Sequence, residues 1–327
     1  MRRIDVHAHY FPAALVDALE GRDRAPRMID APEMRLIDCG GDLVYPLFPQ
    51  LTDLDPQLAR MDREEIGTAV LSGLPPGVDG LGSDAVAVAR ACNDELAELA
   101  GGSEGRFAAI AILPMSDPEA AADELERALT LGLSGAQLLS NVEGEPLDDP
   151  RFRPVFERAA ALDRPLVLHP TRPRAEQGLG EYGLITTFGF IFDTAVCATR
   201  LVLSGIYDRH PDLKLLLPHV GSLIPYQLAR VDHELQLMDP DDLALSEPPS
   251  EHLRRLYLDS VCLWPPALSL ALEVFGFEQV LFATDEPFWR GGAGIETLES
   301  LSLEPDVLRE VERGNAKRLF SLNGSPG

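Results

Sequence analysis

The sequence predicts an α/β fold, a closed (β/α)8 TIM barrel with one inserted segment after its first strand. Eight short apolar runs recur along the 327-residue chain. Helix-period segments fill the intervals, and most of the polar residues suited to chemistry fall at the carboxyl ends of the runs, where such barrels carry their active sites. One large domain covering residues 1–327 is the expectation, because barrels of this kind reach that length without dividing.

The strand-like runs are 4–9, 69–74, 107–113, 135–139, 166–169, 213–219, 256–261 and 280–284. Between them lie stretches such as DAVAVARACNDELAELA, DPEAAADELERALTLG and RFRPVFERAAALD, with apolar residues three and four apart. Asp117 before Pro118 and Asp149 before Pro150 give helix starts. Alternating strands and helices imply a parallel sheet, and eight units are the number that closes on itself.

Two segments depart from the pattern. Residues 11–55, rich in proline and glycine, separate the first strand from the next unit and read as a lid or rim. Residues 171–189 form a second irregular loop after the fifth strand. Both leave from carboxyl ends of strands, so both border the expected site.

Composition narrows the partners. A formal net charge of −25 repels phosphate backbones and anionic lipid headgroups, which argues against nucleic acid and membrane surfaces. Lys214 and Lys317 are the only lysines, so guanidinium groups must do any carboxylate binding. Cys39, Cys92, Cys197 and Cys262 lack a CxxC pair and read as reduced, mostly buried thiols. The start, MRRIDVHAHY, has no apolar core of a leader, and no run approaches the roughly 18 apolar residues of a membrane span. A cytoplasmic protein is expected.

Five groups carry the chemical argument. Residues two apart on a strand share a face, so His7 and His9 in DVHAHY can point together into the barrel mouth. His169 in PLVLHPT, His219 in LLLPHVG and Asp285 in VLFATDEPF end three further apolar runs. Four imidazoles and a carboxylate at the ends of the first, fifth, sixth and eighth strands converge on one point, which packing does not require. Neutral imidazole is the commonest protein ligand for zinc and its neighbours, so a metal site is expected.

The segments DVHAHY, LHPT, HVGSLIPYQLARVDH, ATDEPF and GNAKRLF together resemble the amidohydrolase-related decarboxylases, the group typified by aminocarboxymuconate-semialdehyde decarboxylase. The resemblance runs through nearly the whole chain and is poorest over residues 11–55. It implies that His7, His9, His169 and Asp285 hold one divalent ion, zinc before manganese, and that His219 is the general acid or base. In that group the Arg eleven residues after this His reaches a carboxylate in the neighbouring subunit's site, and Arg230 stands there, which implies a homodimer. One departure accompanies it: the group's other carboxylate-binding Arg falls at Gln50 here, with no Arg between Arg35 and Arg60. Arg172 and Arg174, after His169, are candidates to supply that charge.

Phe288 and Trp289 after Asp285, and Tyr10 and Phe11 after His9, suit the walls of a pocket for an aromatic or unsaturated substrate, or else the packing of the lid. His210, His233 and His252, before the sixth strand, on the helix after it and in an acidic proline-flanked loop, are expected to be structural or solvent-exposed. The resulting expectation is non-oxidative decarboxylation of a small aromatic or unsaturated carboxylic acid, with His219 or Asp285 delivering the proton. Metal-dependent hydrolysis or hydration on the same ligands is the alternative, and a silent binding protein is disfavoured because no ligand is missing.

Overall fold

The computed structural model describes residues 2–237, 245–289 and 292–322. Its frame is eight parallel strands: β1 (Arg3–His9), β2 (Ile66–Ser72), β3 (Phe107–Ala109, continuing as Ala111–Ile112), β4 (Ala136–Leu139), β5 (Leu166–His169), β6 (Leu215–Leu217), β7 (Tyr257–Asp259) and β8 (Val280–Leu281). Each pairs with the next in sequence order. The ring closes beyond β8, where Val6 N donates to Phe282 O at 3.1 Å, Asp285 N to His7 O at 2.8 Å and His9 N to Glu286 O at 3.0 Å. The expected barrel is the observed one.

The interior is layered, and the phase of each strand sets its layers. Ile4, Val6, Val70, Ile110, Val167, Leu216, Val261, Leu281 and Ala283 form an apolar cluster drawn from seven strands, packed also on Ala316, Leu319 and Phe320 of the last helix. Two residues on from such positions come His169 and Asp285, so the same inward face turns polar at the carboxyl ends. In β1 a bulge intervenes: Asp5 pairs with Ala69 and Ala8 with Leu71, three residues of β1 against two of β2. The bulge changes the phase, so Ile4 and Val6 face inward and then His7 and His9 do as well.

Asp5, between the inward Ile4 and Val6, points to the opposite side. There it accepts Thr284 N at 3.0 Å and Arg60 Nη2 at 3.3 Å.

Strand bounds moved most at β2, which starts three residues before the expected run and ends at Ser72. Gly67, within that strand, has no room for a side chain, since a Cβ there would stand 2.8 Å from that of Arg2. The helix starts hold: Asp117 accepts Ala120 N at 3.1 Å at the head of Pro118–Thr130, and Asp149 accepts Arg151 N at 3.0 Å before Arg153–Ala161.

The inserted segment has more regular structure than its glycines and prolines suggest. A helix, Ala13–Leu19, is followed by an antiparallel sheet of Arg27–Asp30, Arg35–Asp38 and Val44–Pro46. The loop after β5 is irregular as far as residue 184, then runs through a π-helical turn, Ile185–Gly189, into the helix Phe190–Leu203. This 19-residue stretch, Ile185–Leu203, is long and apolar enough to cross a membrane, with a mean hydropathy of 1.4, contrary to the sequence expectation. Half of it is buried, and its Asp193 accepts Ser140 Oγ at 2.6 Å and Asn141 Nδ2 at 3.0 Å beside the barrel mouth. Those contacts are what a barrel helix makes.

Candidate active site

His7 and His9 end β1, His169 ends β5, and one ring nitrogen from each lies within 4.8 Å of the others. His7 Nε2 and His9 Nε2 are 3.1 Å apart. Asp285 Oδ1 stands 3.1 Å from His9 Nε2 and 3.4 Å from His7 Nε2. All four side chains are buried.

The outer edge of each ring decides what the inner edge offers. His7 Nδ1 meets Asp259 Oδ2 at 2.7 Å, His9 Nδ1 meets Gly73 O at 3.0 Å, and His169 Nδ1 meets Pro170 O at 2.7 Å. An acceptor oxygen faces every Nδ1, so each neutral ring carries its hydrogen there and presents a bare Nε2 lone pair. Two such lone pairs at 3.1 Å repel unless a cation lies between them. Three imidazoles and a carboxylate oxygen therefore fit a divalent ion of the zinc or manganese kind.

Protonation agrees with that demand. Burial alone would lower the His7 imidazolium, but Asp285, Asp259 and Asp5 outweigh it and raise it to about 9. Burial lowers His9, and it lowers His169 well below the ordinary range, with the charge of His9 and His7 adding to the effect. Burial would raise Asp285, yet His7, His219 and His9 hold it well below the usual carboxylate range. Before an ion binds, one proton on His7 supplies the positive charge that this cluster requires.

His219 follows β6 in the left-handed region, at φ +58° and ψ +56°, and Asp285 has φ +58°. Each such non-glycine residue costs about 1–2 kcal/mol. Hydrogen bonds hold both in place: His219 N donates to Asp259 Oδ1 at 2.7 Å and Asp285 N to His7 O at 2.8 Å. His219 Nε2 comes within 3.5 Å of Asp285 Oδ2, while its Nδ1 is buried without a partner. The five groups singled out in the sequence thus meet at one place.

The pocket wall is only partly the expected one. Phe288 is 39% exposed and lies edge-on to His9, Tyr45 and Phe48, at 5.8, 6.0 and 5.8 Å between ring centres, so it links the cluster to the inserted segment. Trp289 is instead tied to the cluster, its indole N–H donating to Asp285 Oδ2 at 2.6 Å. Tyr10 and Phe11 are buried, Tyr10 Oη donates to Glu95 Oε1 at 2.6 Å, and both border a cavity of about 670 Å³ under the inserted segment in whose wall none of His7, His9, His169 and His219 takes part.

The arginines lie away from the imidazoles. Arg172 donates from Nη2 to Glu176 Oε2 at 2.8 Å and lines a cavity of about 630 Å³ with Arg24, Asn141 and Arg174, in whose wall none of His7, His9, His169 and His219 takes part. Arg172 is therefore no free carboxylate binder in this arrangement. Arg230 is 73% exposed on the helix Ile224–Leu235, 3.7 Å from Glu234. Arg60, the next arginine after Gln50, is buried among Asp5, Glu64 and Glu286. His252 lies on a short helix, Pro249–Leu253, buried and stacked on Tyr207, in place of the expected loop.

Sequence reasoning passed over Asp259. Its signal was present, a carboxylate inside the apolar run 256–261, which is the same kind of signal that singled out His169.

A (β/α)8 barrel whose carboxyl face presents three bare imidazole nitrogens, a carboxylate and a further imidazole has the build of a metal-dependent barrel enzyme. The chain belongs to the amidohydrolase family, whose model matches residues 4–322. It is 33% identical over 309 residues to the gamma-resorcylate decarboxylase of Rhizobium sp. (strain MTP-10005), covering 87% of this chain and 92% of that one. It is 28% identical to the 2-amino-3-carboxymuconate-6-semialdehyde decarboxylase of Dictyostelium discoideum, over 98% and 92% of the two chains. Among solved structures, the 5-carboxyvanillate decarboxylase of Sphingomonas paucimobilis superposes with a TM-score of 0.88 at 29% identity, over 98% and 99% of the chains. A dihydroxybenzoic acid decarboxylase from Polaromonas sp. JS666, solved with manganese and 2-nitroresorcinol, superposes with a TM-score of 0.83 at 29% identity, over 98% and 97%.

Proposed function

We propose that this chain is a metal-dependent, non-oxidative decarboxylase of a small aromatic or unsaturated carboxylic acid, with one divalent ion held by His7, His9, His169 and Asp285. The observation that carries the reading is the set of Nδ1 acceptors, which leaves three Nε2 lone pairs aimed at one point beside Asp285 and His219. Zinc comes first and manganese second, since both accept three imidazoles and a carboxylate.

When bound, the ion supplies a Lewis acid that polarises a substrate oxygen. The bond between the ring carbon and the carboxyl carbon breaks, its electron pair stays on the ring carbon, and carbon dioxide leaves. A proton delivered from His219 Nε2, which stands 3.5 Å from Asp285 Oδ2, then forms the new C–H bond. Trp289 holds Asp285 Oδ2 in position, and Phe288 offers an aromatic edge to the substrate ring.

Residues 1–327 act as one barrel, with residues 11–55 as the lid through the contacts of Tyr45 and Phe48 to Phe288. The four unpaired thiols suit the reducing cytoplasm. The working form is a homodimer. What supports it is that exposed Phe188, Phe192, Tyr226 and Trp264 lie on the segments that follow β5, β6 and β7, and that exposed Arg230 shares the helix of Tyr226.

The test is metal analysis of the purified protein, followed by carbon dioxide measurement on a panel of hydroxylated benzoates and unsaturated acids. About one ion per chain and ion-dependent release of carbon dioxide are expected. Solvent oxygen entering a product with no carbon dioxide released would overturn the reading in favour of hydrolysis or hydration.

A further inference from the structure

We propose that Asp259 is a positioning residue whose single carboxylate sets both the tautomer of His7 and the backbone seat of His219. This inference rests on the ion reading above. Asp259 closes β7, is fully buried, and divides its two oxygens between two tasks. Oδ2 accepts from His7 Nδ1 at 2.7 Å, while Oδ1 accepts from His219 N at 2.7 Å and Val261 N at 3.1 Å. A buried carboxylate so engaged is costly to disturb, because every oxygen has a designated donor.

The two tasks separate under substitution. In Asp259→Asn the amide oxygen must take the place of Oδ1, since two backbone N–H groups demand an acceptor there. The amide NH2 then faces His7 Nδ1, which can answer only as an acceptor, so the ring hydrogen moves to Nε2 and blocks the nitrogen meant for the ion. His219 keeps its backbone bond. In Asp259→Ala both supports go, and His219 loses the contact that holds its left-handed backbone.

Calorimetric titration with Zn²⁺ and Mn²⁺, together with turnover at saturating ion, distinguishes the cases. Asp259→Asn should bind ion about 10–100-fold more weakly than wild type. At saturating ion its kcat should return to within about threefold of wild type. Asp259→Ala should remain slow even at saturating ion. Equal ion affinity in wild type and Asp259→Asn would overturn the inference alone, and wild type that binds no ion would overturn the ion reading and this inference with it. If neither variant folds, ¹⁵N imidazole spectra of ion-loaded wild type decide: a His7 hydrogen on Nδ1 supports the assignment, and one on Nε2 overturns it.

Discussion

The groups at the floor of the mouth, His7, His9, His169 and Asp285, sit at strand ends and are buried, whereas the rim around them, residues 11–55 and the loop after β5, is carried by loops and a small separate sheet. At the floor an acceptor oxygen stands behind each of the three imidazoles and fixes which nitrogen faces inward. At the rim the partners are part-exposed pairs such as Arg172 with Glu176. Groups that need fixed geometry stand on the rigid frame, and the part that tolerates change surrounds them.

Substitutions should reproduce that gradient. His169→Ala removes one of three imidazole ligands, and the protein should lose both its ion and at least about a thousandfold in carbon dioxide release, read by metal content and turnover. His219→Ala should keep the ion and lose about 10²–10⁴-fold in kcat, because only the proton path is cut. Undiminished turnover in this variant would remove His219 from its role.

The floor also carries a pH signature. The folded protein without ion binds the His7 proton more tightly than the unfolded chain does, at about 9 against 6.5. That stabilisation is complete below 6.5 and disappears as the pH rises toward 9, so the melting temperature of chelated protein should fall across this window. Ion affinity should rise across the same window, since binding displaces that proton. A flat melting profile would contradict the assigned His7 environment.

Effects at the rim should be smaller. Phe288→Ala should raise KM about tenfold with little change in kcat, as expected for a lost aromatic contact. Arg172→Ala should change kcat/KM by no more than about twofold, the weight of an exposed pair at i, i+4 spacing. A rim substitution that outweighs His219→Ala would break the contrast.

The same gradient governs what could be read from the sequence. His169 and Asp285 were legible because a polar residue two positions beyond an inward apolar one stays inward, and nothing but the strand period is needed to see it. His7 and His9 were legible as a pair, but the bulge that turns them inward depends on the register with β2, which no local pattern reveals. Asp259 carried a readable signal that went unused. For Trp289 and Tyr10 the sequence leaves wall and packing open, and only their partners, Asp285 and Glu95, show what each side chain does. The three short strands of the inserted segment stabilise one another across its turns, and such pairing leaves little trace in a stretch dense in glycine and proline.

The most direct test of the central claim is to run the ion-loaded protein in D₂O on a hydroxylated benzoate that it consumes and to examine the vacated carbon. One deuteron at that carbon for each carbon dioxide released is expected, with both signals lost in chelated protein and strongly reduced in His219→Ala. Product formed without carbon dioxide, or turnover that survives removal of the ion, would contradict it.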